Sequence, residues 1–177
     1  MACAALSPPM PFRVNDPRRY PRWMQTNRRR AFEVLVRDPK PWQSGEIRKH
    51  FGSADPDWRL TAVFAMGYVK GFEREIAETV RAADGALLLE AVIAAGNMSV
   101  SRAASHIRTL ATSREEDLDL RLAAIEALPH VDPDCFDMLD DLTRSQNPEI
   151  VEAAEYALEE LGIFDDTGDD ELEEEDD

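Results

Sequence analysis

WRLTAVFAMG (58–67), LLLEAVIAAG (87–96), LRLAAIEALP (120–129) and IVEAAEYALE (150–159) are four versions of one segment, spaced by 29, 33 and 30 residues. In this register Trp58, Leu87, Leu120 and Ile150 take one position, and Ala62, Ala91, Ala124 and Ala154 take the position one helical turn later. Ala65, Ala94, Ala127 and Ala157 follow three residues on, directly before Met66, Ala95, Leu128 and Leu158. The apolar stripe therefore has helical period. The small residues at its centre let a neighbouring helix come close.

Upstream of each copy lies a second, weaker amphipathic stretch: Ile47 and Phe51; Phe72, Ile76 and Val80; Ala103, Ala104, Ile107 and Leu110; Phe136, Leu139 and Leu142. These predict the first helix of each of four pairs. Asp55-Pro56, Asp132-Pro133 and Asn147-Pro148 each offer an N-cap side chain followed by proline at the first helical position. Ser113 with Glu116 has the spacing of a capping box. No sustained alternation marks a strand. A helix pair of this length cannot bury both faces alone, so stacked neighbours must supply the core. The fold class predicted is all-α: an α-solenoid of about four helix pairs behind an N-terminal capping helix near residues 24–36, nine helices in all.

Charge divides the chain further. Residues 1–50 carry 11 Lys or Arg against 4 Asp or Glu, residues 51–164 carry 9 against 22, and residues 165–177 carry 10 acids and no base. The predicted organisation is a basic, Pro-rich flexible arm over 1–23, the helical body over 24–164 and a disordered acidic tail over 165–177. A net charge of −16 argues against the whole surface lying on nucleic acid or an anionic membrane. The longest apolar stretch, near residues 85–98, is broken by Glu90, Gly96 and Asn97 and is too short to span a bilayer of ~30 Å. No secretion signal is recognisable at the start, and two widely separated cysteines, Cys3 and Cys135, suit a reducing cytoplasm.

The run DPDWRLTAVFAMG (55–67) resembles the HEAT-repeat pattern, in which V-R-x-x-A-A-x-A-L-G follows an Asp-Pro turn. The resemblance covers residues 43–162 and extends to the short HEAT-like repeats of bacterial proteins and of cyanobacterial phycobilin lyases. It is weaker in the second and fourth copies, where Leu88 and Val151 replace the arginine. The resemblance implies that this arginine pairs with an aspartate of a neighbouring turn, which gives Arg59 and Arg121 a structural role. HEAT proteins that hydroxylate a modified lysine hold two irons with His-Glu pairs. Here His50, His106 and His130 precede Phe51, Ile107 and Val131, so the ligands for that activity are missing.

Other chemistry finds little support. The histidines and cysteines lack metal-ligand spacing, no G-x-S-x-G marks a nucleophile, and no glycine-rich phosphate loop occurs. No catalytic residue, metal ligand or cofactor is predicted, and the chain reads as a non-enzyme. The binding case rests on position. In a HEAT stack the second helices line the concave face, where Phe64, Ile93, Glu126 and Tyr156 are equivalent, with Glu90 on a neighbouring line beside Thr61, Ala123 and Ala153. Leu60, Leu89, Leu122 and Glu152 form a third line. These positions predict a partner-binding groove, apolar toward the N-terminal repeats and acidic toward the C-terminal ones. The alternative is that Phe64 and Ile93 pack under a neighbouring helix.

In the arm, arginines including Arg28, Arg29 and Arg30 alternate with Tyr20, Trp23 and Phe32, a composition suited to single-stranded nucleic acid or to docking on the chain's own acidic surface. Docking is the favoured expectation. The function expected is a protein-binding adaptor or scaffold, with a phycobilin-lyase-like chromophore protein and nucleic-acid binding through the arm as alternatives.

Overall fold

The periodic stretches are helices, and prolines mark where two of them begin. The computed structural model describes residues 22–162, with side chains from Arg29 onward. The predicted arm up to residue 21, the acidic tail, Cys3 and the side chain of Arg28 lie outside the described residues. Within them are nine α-helices and no strand: α1 (Arg22–Leu35), α2 (Gln43–Phe51), α3 (Pro56–Met66), α4 (Glu73–Ala82), α5 (Gly85–Asn97), α6 (Ala104–Thr112), α7 (Leu118–Val131), α8 (Phe136–Leu142) and α9 (Pro148–Glu160). A 3-10 turn, Ser101–Ala103, leads into α6.

Side-chain caps mark the starts of α3 and α9. The Asp55 carboxylate accepts from the backbone N–H of Asp57 at 3.0 Å, and the Asn147 side-chain oxygen accepts from that of Glu149 at 2.9 Å, each ahead of a proline that needs no hydrogen-bond acceptor. Two expected caps are corrected. Asp132 accepts from the N–H of Asp134 at 3.2 Å, but that turn does not continue as helix, and α8 begins at Phe136. Ser113 follows the end of α6 and accepts from the N–H of Glu115 at 3.3 Å. A bend then separates it from α7, which starts at Leu118 behind Asp117, so no capping box forms.

The alanine positions of the repeat are filled as the register requires. Ala62, Ala91, Ala124 and Ala154 are fully buried, as are Ala65 and Ala157, and Met66, Ala95 and Leu128 beside them. The leading position holds in three copies, with Trp58, Leu120 and Ile150 buried. In the second copy Leu88 is buried instead and Leu87 is half-buried, which gives the leucine that replaces arginine a core role. The second helices pack in succession, α3 on α5, α5 on α7 and α7 on α9, and each first helix packs on its own second helix. Helix α1 packs on α3, which places it at the head of the second-helix row. Spacing along the row is set by glycine. A Cβ on Gly67 would lie 3.2 Å from the Cα of Ala94, and one on Gly96 would lie 3.2 Å from the Cβ of Ala127. Those two junctions join equivalent positions, the tenth residue of one copy against the eighth of the next, so neighbouring second helices meet in one repeated register.

The arginine at the second position of the segment does not behave as the resemblance implies. Arg59 and Arg121 form no ion pair among the described residues, and the Nε of Arg121 is buried without an acceptor. One arginine–aspartate pair that does cross between elements is Arg108 of α6 with Asp132 beyond α7, supported by Arg108 Nη2 donating to the Asp134 carbonyl at 2.9 Å.

Candidate functional site

Each second helix seals its alanine stripe in the core and leaves a line of side chains at one repeat position beside it. Phe64, Ile93, Glu126 and Tyr156 hold that line. Phe64 is half-buried and meets Tyr68 with ring centroids 5.0 Å apart. Ile93 is 41% exposed and Tyr156 is 55% exposed, and Glu126 between them is exposed as well. Neither Phe64 nor Ile93 is buried under a neighbouring helix. The line is closed at its N-terminal end and opens toward the C-terminal end.

The N-terminal closure is polar. Thr61 is buried on α3, where its hydroxyl accepts from Arg29 Nε at 3.0 Å and donates to Glu33 Oε1 at 3.2 Å. Arg29 also pairs with Asp57 at 2.7 Å. The arginine run is thus divided: Arg29 docks on the chain's own third helix, whereas Arg30 is exposed. Glu90 sits half-buried next along the row. Burial, together with the nearby Glu33 carboxylate, raises its pKa above the ordinary carboxylate value. No cation among the described residues pairs with Glu90.

Two clefts flank Tyr156 at the open end. One, of about 180 Å³, is bordered by Ile93, Asn97, Glu126, His130, Tyr156 and Glu160. Across it His130 Nε2 approaches Glu160 at 3.2 Å, tying α7 to α9. The other cleft, of about 400 Å³, lies between Leu122 and Glu126 of α7 and Glu149, Glu152 and Tyr156 of α9. Its three carboxylates have no ion pair among the described residues, and no basic residue lines it.

The repeat register identifies Phe64, Glu90, Ile93, Glu126 and Tyr156 but not Glu149, Glu160 or His130. Helical spacing carried outward from Tyr156 finds them: Glu149 and Glu160 stand seven before and four after it, and His130 stands four after Glu126.

No group of three or more His, Cys, Asp or Glu among the described residues is arranged to hold a metal ion, and no described helix is long and apolar enough to cross a membrane. Cys135 is a free, buried thiol whose pKa is raised by burial, which keeps it protonated and poorly nucleophilic. No known family model matches the chain, and no curated protein matches its sequence.

Proposed function

We propose that the chain is a HEAT-type α-solenoid that acts as a protein-binding adaptor or scaffold, using the face presented by α5, α7 and α9. One observation carries this: Ile93 and Tyr156 occupy the same repeat position and are both exposed, whereas the core positions nearby on each helix are sealed. An apolar side chain left outside at one position in two repeats, beside clefts, is what a partner surface requires. Serial packing of α1, α3, α5, α7 and α9, with two glycine junctions in one register, supports the solenoid reading. The free, buried Cys135 suits a reducing compartment such as the cytoplasm. The acidic lining weighs against the chromophore alternative, because carboxylates facing the clefts repel a propionate-bearing ligand.

Site-specific photocrosslinking tests the reading. A photoreactive residue at Tyr156 or Ile93 should capture a discrete partner in cells, one at exposed Asp137 on α8 should not, and Ile93→Asp should abolish capture from position 156. Equal labelling from position 137, or none from 93 and 156, would overturn it.

A further inference from the structure

On the reading that α5, α7 and α9 present a protein-binding face, its chemistry narrows the partner. We propose that this face takes a cationic peptide segment, in which lysine or arginine side chains enter the clefts beside Tyr156 and apolar side chains lie on Ile93 and the Tyr156 ring.

Three independent features meet here. The first is shape: the larger cleft, of about 400 Å³, opens between α7 and α9 with the tyrosine ring as one wall. A long side chain with an apolar stem and a charged head suits it, since the stem packs on Leu122 and the ring while the head stays among oxygens. The second is charge. Glu126, Glu149 and Glu152 converge on that cleft with no ion pair among the described residues, and α9 carries five glutamates and no base. Some other surface acids are paired, Asp57 with Arg29, Glu78 with Arg74, and Asp140 and Asp141 with Arg144, and others such as Asp119 and Asp137 are not, among the described residues. What distinguishes Glu126, Glu149 and Glu152 is that all three border one cleft with no basic residue in its lining. The third is the apolar line itself, which an acidic cluster serving solubility alone would not need. Ile93 and Tyr156 stand on either side of Glu126, so apolar and anionic contacts alternate along the row. Glu90, nearer α1, adds a half-buried carboxylate that a cation would stabilise in its charged form, against the burial and the Glu33 charge that now oppose it.

The probe is a synthetic peptide of alternating arginine and leucine, compared with its glutamate–leucine and serine–leucine counterparts, on the full chain. Binding is followed by amide and Ile/Tyr side-chain NMR shifts. The arginine–leucine peptide is expected to move Ile93, Glu126, Glu152 and Tyr156 and to leave α4 and α8 unmoved. Its affinity should fall as salt shortens the Debye length from about 10 Å at 0.1 M. Glu126→Gln with Glu152→Gln should weaken it about fivefold or more, by loss of two partly screened pairs, whereas Asp137→Asn with Asp141→Asn should not. Both double variants keep side-chain volume at exposed positions, so folding is not at issue.

Shifts confined to residues 165–177, or equal weakening by the two double variants, would mean general attraction to an acidic chain and would overturn the proposal. If the serine–leucine peptide moved the same residues as strongly, the cationic specificity would fall while the protein-binding face stood. If no peptide moved this face and crosslinking at 93 and 156 also failed, both would fall.

Discussion

At the N-terminal end, α1, α2 and α3 are joined by polar and aromatic side chains, whereas α5, α7 and α9 meet through alanine and glycine. In the first region Gln43 is fully buried: its Nε2 donates to the Leu35 carbonyl at 2.8 Å, and its Oε1 accepts from the Lys40 N–H at 2.7 Å. Arg29 ties α1 to Thr61 and Asp57, and His50 stacks on Trp58 with centroids 3.9 Å apart. In the second region the core contacts are Gly96 against Ala127 and the buried alanines of each turn, with His130–Glu160 as a polar tie at the rim between α7 and α9. Polar knitting uses up the side chains that face the row. Small-residue packing leaves them free, and the exposed line opens only where packing is of the second kind.

The largest effect expected is in the small-residue region. Ala124 is fully buried on α7, so Ala124→Leu must displace packed neighbours and should cost about 3 kcal/mol. Chemical denaturation measures it, and a loss near zero would show that the alanine junctions are loose. Next comes the polar region, where Gln43→Ala leaves the Leu35 carbonyl and the Lys40 N–H without their partner in a buried turn, at about 2 kcal/mol. Should Gln43→Leu restore stability, packing rather than hydrogen bonding would be holding α1 to the body. A third test separates end effects from both: Asn147→Ala removes the α9 cap and should cost about 1 kcal/mol, whereas Ser113→Ala should cost less because no helix starts there.

These regions also differ in how much of them the sequence reveals. Period and small residues are enough to place all four second helices, because burial repeats with the helix and alanine at Ala62, Ala91, Ala124 and Ala154 has one use. The tie at Gln43 is not legible, since a lone glutamine at the first position of a helix carries no period and its partners are backbone groups set by the preceding turn. Cap chemistry is half legible. Asp55, Asn147 and Asp132 all accept from the N–H two residues on, and only tertiary packing decides which turn continues as helix. At the candidate site, register finds Ile93, Glu126 and Tyr156, but which member of the line remains exposed depends on the neighbouring helix. Phe64, equivalent in sequence, is half-covered beside Tyr68.

The smallest effect expected is at Asp132, between the two regions in character: a polar tie in the alanine-packed half. Its carboxylate pKa is lowered, first by the hydrogen bond from Arg108 and then by the Asp134 N–H, against the opposing effect of burial. A carboxyl whose pKa is lower folded than unfolded stabilises the fold above its unfolded pKa, about 3.9 for aspartate. That contribution disappears as pH falls through the folded value. Asp132→Asn keeps an oxygen for the Asp134 N–H but puts an amide NH2 where Oδ2 accepts from Arg108 Nε, so both the ion pair and that hydrogen bond are lost. Because the Arg108 side chain is open to water, the destabilisation should be modest at neutral pH. Because other carboxylates titrate equally in both proteins, the difference between wild type and variant isolates this group. Melting temperatures should differ at pH 7 and begin to converge below about pH 4. A difference that persisted into strong acid would mean that Asp132 acts through shape, and that α6 is held against α7 without help from charge.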